Sequence, residues 1–399
     1  MNINSNALFP FLAKFFFLIW IVFIPMKTSV YQISFLCIVG VFLTYLLLYK
    51  KIFILKHIVI EHKNVIFSFG IILISMTISN SLSTVTTLES WIPEFHYIFR
   101  YFFIFLILVF FHKEAIINKK FVLFSVLFAL SLQGIDGIYQ AIFEYDFIKH
   151  NTSSLNDGLS GATFNRNNFG FFMTIGTSIS TGLLFYNQKY KLTNIHIYIL
   201  IVFLFIFLFN LLFSYSRASW LFYGVFILIL CITEYKRISK KHFFIFLAIA
   251  ILIVLVFFYY DNLFFRLSQL LKMDDSGRMP IWNDVIYLIK QNYIFGYGLM
   301  SYASIASQPI LSVHNSVLEI LLFVGVFGFI SFTLLLYFIL REIIKIKNYF
   351  YLALFFAFLV ITQFDNSIIK SITTLSSLSI FAFFIFAKNN SKEQLDVMH

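Results

Sequence analysis

The sequence predicts an all-α polytopic membrane protein of about twelve spanning helices, and three observations predict it. Hydrophobic residues fill 60% of 399 positions, with 57 Phe and only 12% charged residues, and the mean hydropathy of +0.90 lies beyond the range of soluble globular chains. The apolar residues come in runs close to the roughly 20 that a helix needs to cross the hydrocarbon layer. Clusters of Lys and Arg separate alternate runs, as topology signals do.

The runs fall near 9–25, 30–49, 65–79, 97–111, 121–143, 169–186, 196–213, 217–233, 243–260, 316–339, 349–363 and 371–387. The first, Pro10 to Ile24, is long for a cleaved signal and has no small-residue cleavage site after it, so it reads as a retained helix. Residues 52–60 are interrupted by Lys56 and His57, which favours a helix lying in the interface over a span. The domain reading is nine spans over 1–260, a loop over 261–315, and three spans with a tail over 316–399. There is no internal repeat.

Alternate connections carry Lys50, Lys51, Lys56 and Lys63; Lys113, Lys119 and Lys120; Lys189 and Lys191; Lys236, Arg237, Lys240 and Lys241; Arg341, Lys345 and Lys347; and Lys388 with Lys392. The positive-inside rule makes these cytoplasmic and puts both termini there. The connections 80–96, 144–168, 214–217, 261–315 and 364–370 are then extracytoplasmic. The formal charge of +11 is divided among these clusters and forms no single basic face, which argues against nucleic acid as a partner. Cys37 and Cys231 lie in apolar runs, and no metal, Walker or dinucleotide motif is present, so neither a metal nor a cofactor is expected.

The loop 261–315 is the one connection large enough for structure of its own. Pro280 to Gln291 has the spacing of an amphipathic helix, with Ile281, Val285, Ile286, Leu288 and Ile289 apolar and Trp282 and Tyr287 suited to an interface. It is expected to lie along the membrane surface. Gly296-Tyr297-Gly298 reads as a turn, and a Ser/Ala-rich stretch leads on to His314.

Candidate chemistry gathers on the extracytoplasmic side. Arg217, in Ser216-Arg217-Ala218-Ser219-Trp220, sits between two spans with almost no loop, where it either snorkels or binds an anion. Arg278, in Gly277-Arg278-Met279-Pro280-Ile281-Trp282, has Asp274 and Asp275 close by and could form an ordinary loop ion pair. Arg166, in Asn165-Arg166-Asn167-Asn168, enters a span among asparagines that could be helix caps. Arg100 reads as a boundary residue at the head of the fourth span. His314, followed by Asn315, is either structural or catalytic, and histidine is the side chain whose ordinary pKa lies near physiological pH. Gly325 and Gly328, deeper in the same helix, would allow close helix packing. Guanidinium groups converging there would suit phosphate oxygens.

The spacing His314-Asn315, nine residues, Gly325-Val326-Phe327-Gly328 resembles the signature of bacterial O-antigen ligases. Ser216-Arg217-Ala218-Ser219-Trp220 and Gly277-Arg278 followed by Trp282 resemble the two arginine motifs of that family. The layout is similar over nearly the whole length, the motifs over about a quarter of it. The resemblance implies a GT-C-like fold with one large periplasmic loop between the ninth and tenth helices. It implies a multi-pass protein of the inner membrane that transfers polysaccharide from undecaprenyl diphosphate to a sugar hydroxyl of lipid A–core on the periplasmic face, without metal and with inversion at the anomeric carbon. In this implied site Arg217, Arg278 and Arg166 bind the donor diphosphate together with Asn315, and His314 assists deprotonation of the acceptor. Some members have a second histidine directly before the first, where this chain has Val313. O-antigen polymerase is the alternative within the superfamily, and a flippase or transporter a further one that Asp365, near the end of a span, keeps open.

Overall fold

The computed structural model describes residues 5–26, 28–163, 165–237, 251–306, 312–364 and 371–387. Among these residues helix is the regular secondary structure, apart from an isolated bridge between Tyr145 and Thr152. The helices are α1 Ser5–Phe23, α2 Ser29–Leu48, α3 Ile52–Glu61, α4 Lys63–Leu82, α5 Leu88–Lys113, α6 Lys119–Phe143, α7 Arg166–Phe185, α8 Asn194–Phe213 and α9 Arg217–Thr233. They continue as α10 Ile251–Tyr259, α11 Asp261–Leu271, α12 Arg278–Gln291, α13 Tyr302–Ile305, α14 Ser316–Ile346, α15 Tyr349–Ile361 and α16 Ile372–Phe386. Among the described residues α2, α4, α6, α8 and α14 are long and apolar enough to cross a membrane singly, and α1, α9, α15 and α16 are shorter apolar helices. This is a multi-pass membrane protein.

Every apolar run read from the sequence contains a helix, although 243–250 and Asp365 lie outside the described residues. Side chains that accept backbone N–H groups fix many of the starts: Asn118 for α6, Asn165 for α7, Thr193 for α8, Ser216 for α9, Asn315 for α14, Asn348 for α15 and Ser371 for α16. Each supplies an acceptor to an N–H that the helix itself leaves unsatisfied. α3 is 10 residues long, about half a span.

Two expectations are corrected. α5 begins at Leu88, so the connection before it is only 83–87, and Arg100 lies inside the helix and not at its head. Arg100 is 5% exposed, with its guanidinium over the rings of Tyr31 and Phe35 at 5.8 and 5.2 Å. The ninth span does not run straight into a loop, because α10 bends by 111° into α11. The expected helix over 280–291 is present as α12 and is amphipathic: Val285 and Leu288 are buried and the helix packs on α14, while Ile286 and Tyr287 face outward.

α7 and α9 run parallel, with α8 antiparallel to both. At one end Gly170 lies against Ser214, Ser216 and Ser219; at the other Tyr186 Oη donates to Glu234 Oε1 at 2.7 Å. α16 joins the first end, where Thr373 Oγ1 donates to Asn168 at 3.4 Å. The lysine clusters collect at the opposite end. There Lys51 pairs with Glu114 at 3.0 Å and Lys113 with Glu61 at 2.8 Å. Lys119 Nζ donates to Phe384 O at 3.1 Å, and Lys189 and Arg237 stand over Tyr186.

α14 is broken. Gly325 has φ 67° and ψ −169°, a region essentially restricted to glycine, and the segment after α12 docks into the break. Tyr297 N donates to Leu322 O at 2.8 Å, Gly298 N to Phe323 O at 3.0 Å, and Val326 N to Tyr293 O at 2.8 Å. The same segment is tied to α4, where Leu299 N donates to Asn80 Oδ1 at 2.7 Å and Ser79 Oγ to Phe323 O at 2.5 Å. The Gly296–Gly298 turn is present, with φ 72° and 88°, but it serves as this wedge. Gly325 therefore acts through backbone contact with Ile294 and Phe295 and not as a helix-packing surface; the side chain of Val324, from the same helix, lies nearest to Gly328.

A Cβ at position 325 would collide with the carbonyl of Ile294, and one at position 70 would meet nothing within 4 Å. Gly325→Ala is expected to cost roughly 1–3 kcal/mol from backbone strain alone and to lower the melting temperature in detergent. Gly70→Ala, in mid-helix, is expected to leave it unchanged or raise it slightly. Equal melting temperatures for the two variants would contradict the docked break.

Candidate active site

Arg166, Arg217 and Arg278 are each the first residue of a helix, α7, α9 and α12 respectively. Such a position places a cation against the positive end of the helix dipole, unfavourable by about 0.3–1 kcal/mol in exposed cases. Each guanidinium is half-buried, and the neighbouring contacts draw them together.

Gly158, with φ 94°, has Tyr215, the carbonyl of Ser214 and Arg166 Cδ around its Cα. Leu159 N donates to Phe213 O at 2.8 Å, so the loop after α6 is stitched to the α8–α9 junction. Arg166 Nη1 donates to Asp157 O at 3.3 Å. On the far side of that junction Arg217 Nη2 hydrogen-bonds Ser276 Oγ, and Arg217 Nη1 stands 3.9 Å from Asp274 Oδ2. Ser276 is two residues from Arg278, and Arg278 lies within electrostatic reach of Arg217.

The nearby acids do different work. Asp274 pairs with Arg217, at a separation long for an ion pair, and its side chain is 38% exposed. Asp275 accepts from Gly277 N at 3.2 Å and Met279 N at 2.7 Å. Those N–H groups of Met279 and Gly277 hold its carboxyl below the usual carboxylate range. Asp275 thus stays charged and caps α12.

α12 links the arginines to His314. Four residues after Arg278, one helical turn or about 6 Å along the axis, Trp282 Nε1 donates to Val313 O at 3.1 Å. His314 is half-buried with φ 54°, and Asn315 Oδ1 caps α14 by accepting from Leu318 N at 3.0 Å. Asn315 Nδ2 donates to Gln363 O at 3.3 Å, and Ser316 N to Thr362 O at 2.9 Å. The amide of Asn315 is therefore engaged at both ends inside the protein. Buried Tyr302, on α13, reaches Asp284 of α12 at 3.5 Å; burial first and that carboxylate second push its phenol up to about 12.

The arrangement brings the starts of α7, α9, α12, α14 and α16 to one end of the bundle. One residue there escaped sequence reasoning: Arg266 on α11. It was passed over because 261–279 was not read as a helix. The signal was an arginine beside Leu263, Leu267 and Leu270, on the stripe that turns inward.

Chemically, guanidinium forks together with helix starts can bind a phosphate-bearing ligand at several oxygens. His314, which follows the Val313 carbonyl that Trp282 of α12 contacts, can take a proton from a nucleophile. No curated protein matches the chain. Residues 201–333, a third of the chain, match the family model described as O-antigen ligase, and the matched stretch holds Arg217, Arg278 and His314.

Proposed function

We propose that this protein is an O-antigen ligase of the inner membrane. It transfers glycan from undecaprenyl diphosphate to a sugar hydroxyl of lipid A–core at the periplasmic face. The observation that carries this reading is the joining of three helix-start arginines, through α12, to the segment that bears His314. Enzymes of this domain family are membrane glycosyltransferase-like, which supports the reaction class.

In this reading Arg166, Arg217 and Arg278 hold the diphosphate and stabilise the charge it gains as the glycosidic bond breaks, a role that divalent cations fill in other transferases. His314 accepts the proton of the attacking hydroxyl or orients that hydroxyl. Asn315, its amide committed to the α14 start and to Gln363, fixes the position of His314 and leaves direct contact with the donor to the arginines. The absence of a histidine at Val313 fits the geometry: the carbonyl of that residue is the acceptor for Trp282, and its side chain is fully buried. A single histidine then carries the proton step. The lysine clusters at the opposite end of the bundle give the expected cytoplasmic side under the positive-inside rule.

His314→Ala is expected to lower kcat by roughly 10²–10⁴-fold with little change in donor binding, assayed in detergent with purified lipid-linked donor and core acceptor. Full turnover by that variant would remove His314 from the mechanism. Arg217→Lys keeps the charge but not the two-pronged geometry, so its donor KM is expected to rise at least tenfold while acceptor KM holds. An unchanged donor KM would contradict the diphosphate site.

A deletion strain separates ligase from polymerase. Loss of the ligase leaves long glycan on the lipid carrier and none on lipid A–core, seen on a lipopolysaccharide gel. Core capped with one repeat unit would instead identify the protein as a polymerase.

A further inference from the structure

The arginine cluster contains one guanidinium that the proposed reaction has not used. We propose that Arg266 binds the phosphate nearest the lipid in the polyprenyl diphosphate, with α11 lying across the membrane surface where the lipid tail leaves the site. This rests on the reading of the cluster as a diphosphate site.

α11 spans the cluster from end to end. At its start Asn262 Nδ2 donates to Asn156 Oδ1 at 3.3 Å, beside the Asp157 carbonyl that Arg166 holds. At its end Asp274 N donates to Gln269 O at 2.9 Å, which fixes the turn whose Asp274 and Ser276 meet Arg217. Arg266 lies midway between these two anchors. Leu263, fully buried three residues earlier, turns this face of α11 toward α9. Arg266 is half-buried there and within electrostatic reach of Arg217 and Tyr215.

What surrounds Arg266 does not neutralise it. Its hydrogen bond is to the neutral amide of Gln269, from Nη1 at 3.1 Å, and among the described residues no carboxylate lies within ion-pair distance. Asp274 and Asp275 are engaged by Arg217 and by the start of α12, and Asp157 accepts from Ser154 Oγ at 2.8 Å. Two guanidinium groups facing one space repel unless an anion lies between them.

The opposite face of α11 says where that anion meets the membrane. Phe264, Phe265 and Leu271 are 49%, 59% and 75% exposed, and Phe258 and Tyr259, just before the 111° bend, are 71% and 81% exposed. An amphipathic helix with such a face seats at the boundary of headgroups and acyl chains. Arg266, on its inner side, therefore meets a lipid-borne phosphate at headgroup depth, while Arg217 and Arg278 lie farther in, toward α12 and His314. In the reaction the acceptor oxygen bonds to the anomeric carbon of the glycan as that carbon's C–O bond to the distal phosphate breaks, and the electron pair of the broken bond stays on the diphosphate. The acceptor's proton goes to His314, and the released lipid diphosphate carries one more negative charge for the cluster to hold.

The test is inhibition of glycan transfer by polyprenyl diphosphate and, separately, by polyprenyl monophosphate of the same chain length, in detergent. Arg266→Gln is expected to weaken inhibition by both lipids about 10- to 100-fold, the loss of a charge-assisted contact, with acceptor KM and melting temperature unchanged. Arg217→Lys is expected to weaken only the diphosphate. Wild-type inhibition of Arg266→Gln by both lipids overturns the role of Arg266 and leaves the diphosphate site standing. Weakening for the diphosphate alone overturns the lipid-proximal placement. A wild-type enzyme indifferent to both lipids overturns the diphosphate reading and this proposal with it. Should Arg266→Gln not accumulate, Arg266→Lys carries the test, since a point charge is expected to weaken both several-fold and unchanged constants would overturn the proposal.

Discussion

The backbone of residues 293–298 docked into the break of α14 is the contact on which the rest of the site depends. A helix interrupted at Gly325 exposes carbonyls that lipid cannot satisfy, and each unsatisfied group costs several kcal/mol in hydrocarbon. The protein supplies the donors itself, from Tyr297 and Gly298, with Ser79 of α4 added to the same carbonyl. This ties the end of α12 to the middle of α14. The Trp282 bond to Val313 ties the start of α12 to the start of α14. With two such attachments the position of Arg278 relative to His314 follows from the rigidity of α12, so a backbone contact near Gly325 sets geometry about three helical turns away.

The second constraint is electrostatic. Lys63 and Lys119 also begin helices, at the opposite end of the bundle, but Lys63 is exposed and Lys119 donates to the carbonyl of Phe384 at the end of α16. Those cations are relieved by water or by the negative end of another helix. Arg166, Arg217 and Arg278 are instead half-buried, and Arg217 meets Asp274 at a separation long for an ion pair. A local preference broken three times in the same place marks a site where a ligand completes the structure.

The order of the apolar helices was legible because roughly twenty consecutive apolar residues have few other solutions, and Arg217, Arg278 and His314 stood out as candidates because polar residues at span ends are conspicuous. What failed was whatever depends on contacts distant in sequence. Gly325 looked like a packing glycine, since a φ of 67° and a docking partner thirty residues earlier leave no trace in local pattern. Arg100 looked like a boundary residue because Leu88 to Tyr97 is too polar to read as membrane helix, although α5 runs through it. Arg266 was missed for a related reason. Its helix is short and strongly amphipathic, and a seven-residue spacing of Phe264 and Leu271 on the outer face is easily taken for scattered loop residues.

The roles of Asn315 and His314 differ for a reason visible in their backbone positions. Asn315, at the cap, points its amide along the helix start, where Leu318 N and Gln363 O use both of its ends. His314, one residue earlier and in the left-handed region, is turned off the axis of α14, and non-glycine residues persist there when their surroundings over-determine them. Those surroundings are the buried Val313 held by Trp282 on one side and the capped helix on the other. The strain is thus borne by the residue that the proposed reaction turns toward the acceptor, and the neighbours that enforce it are engaged in hydrogen bonds of their own. A histidine so placed gains its aim from backbone geometry, with no need of a second histidine beside it.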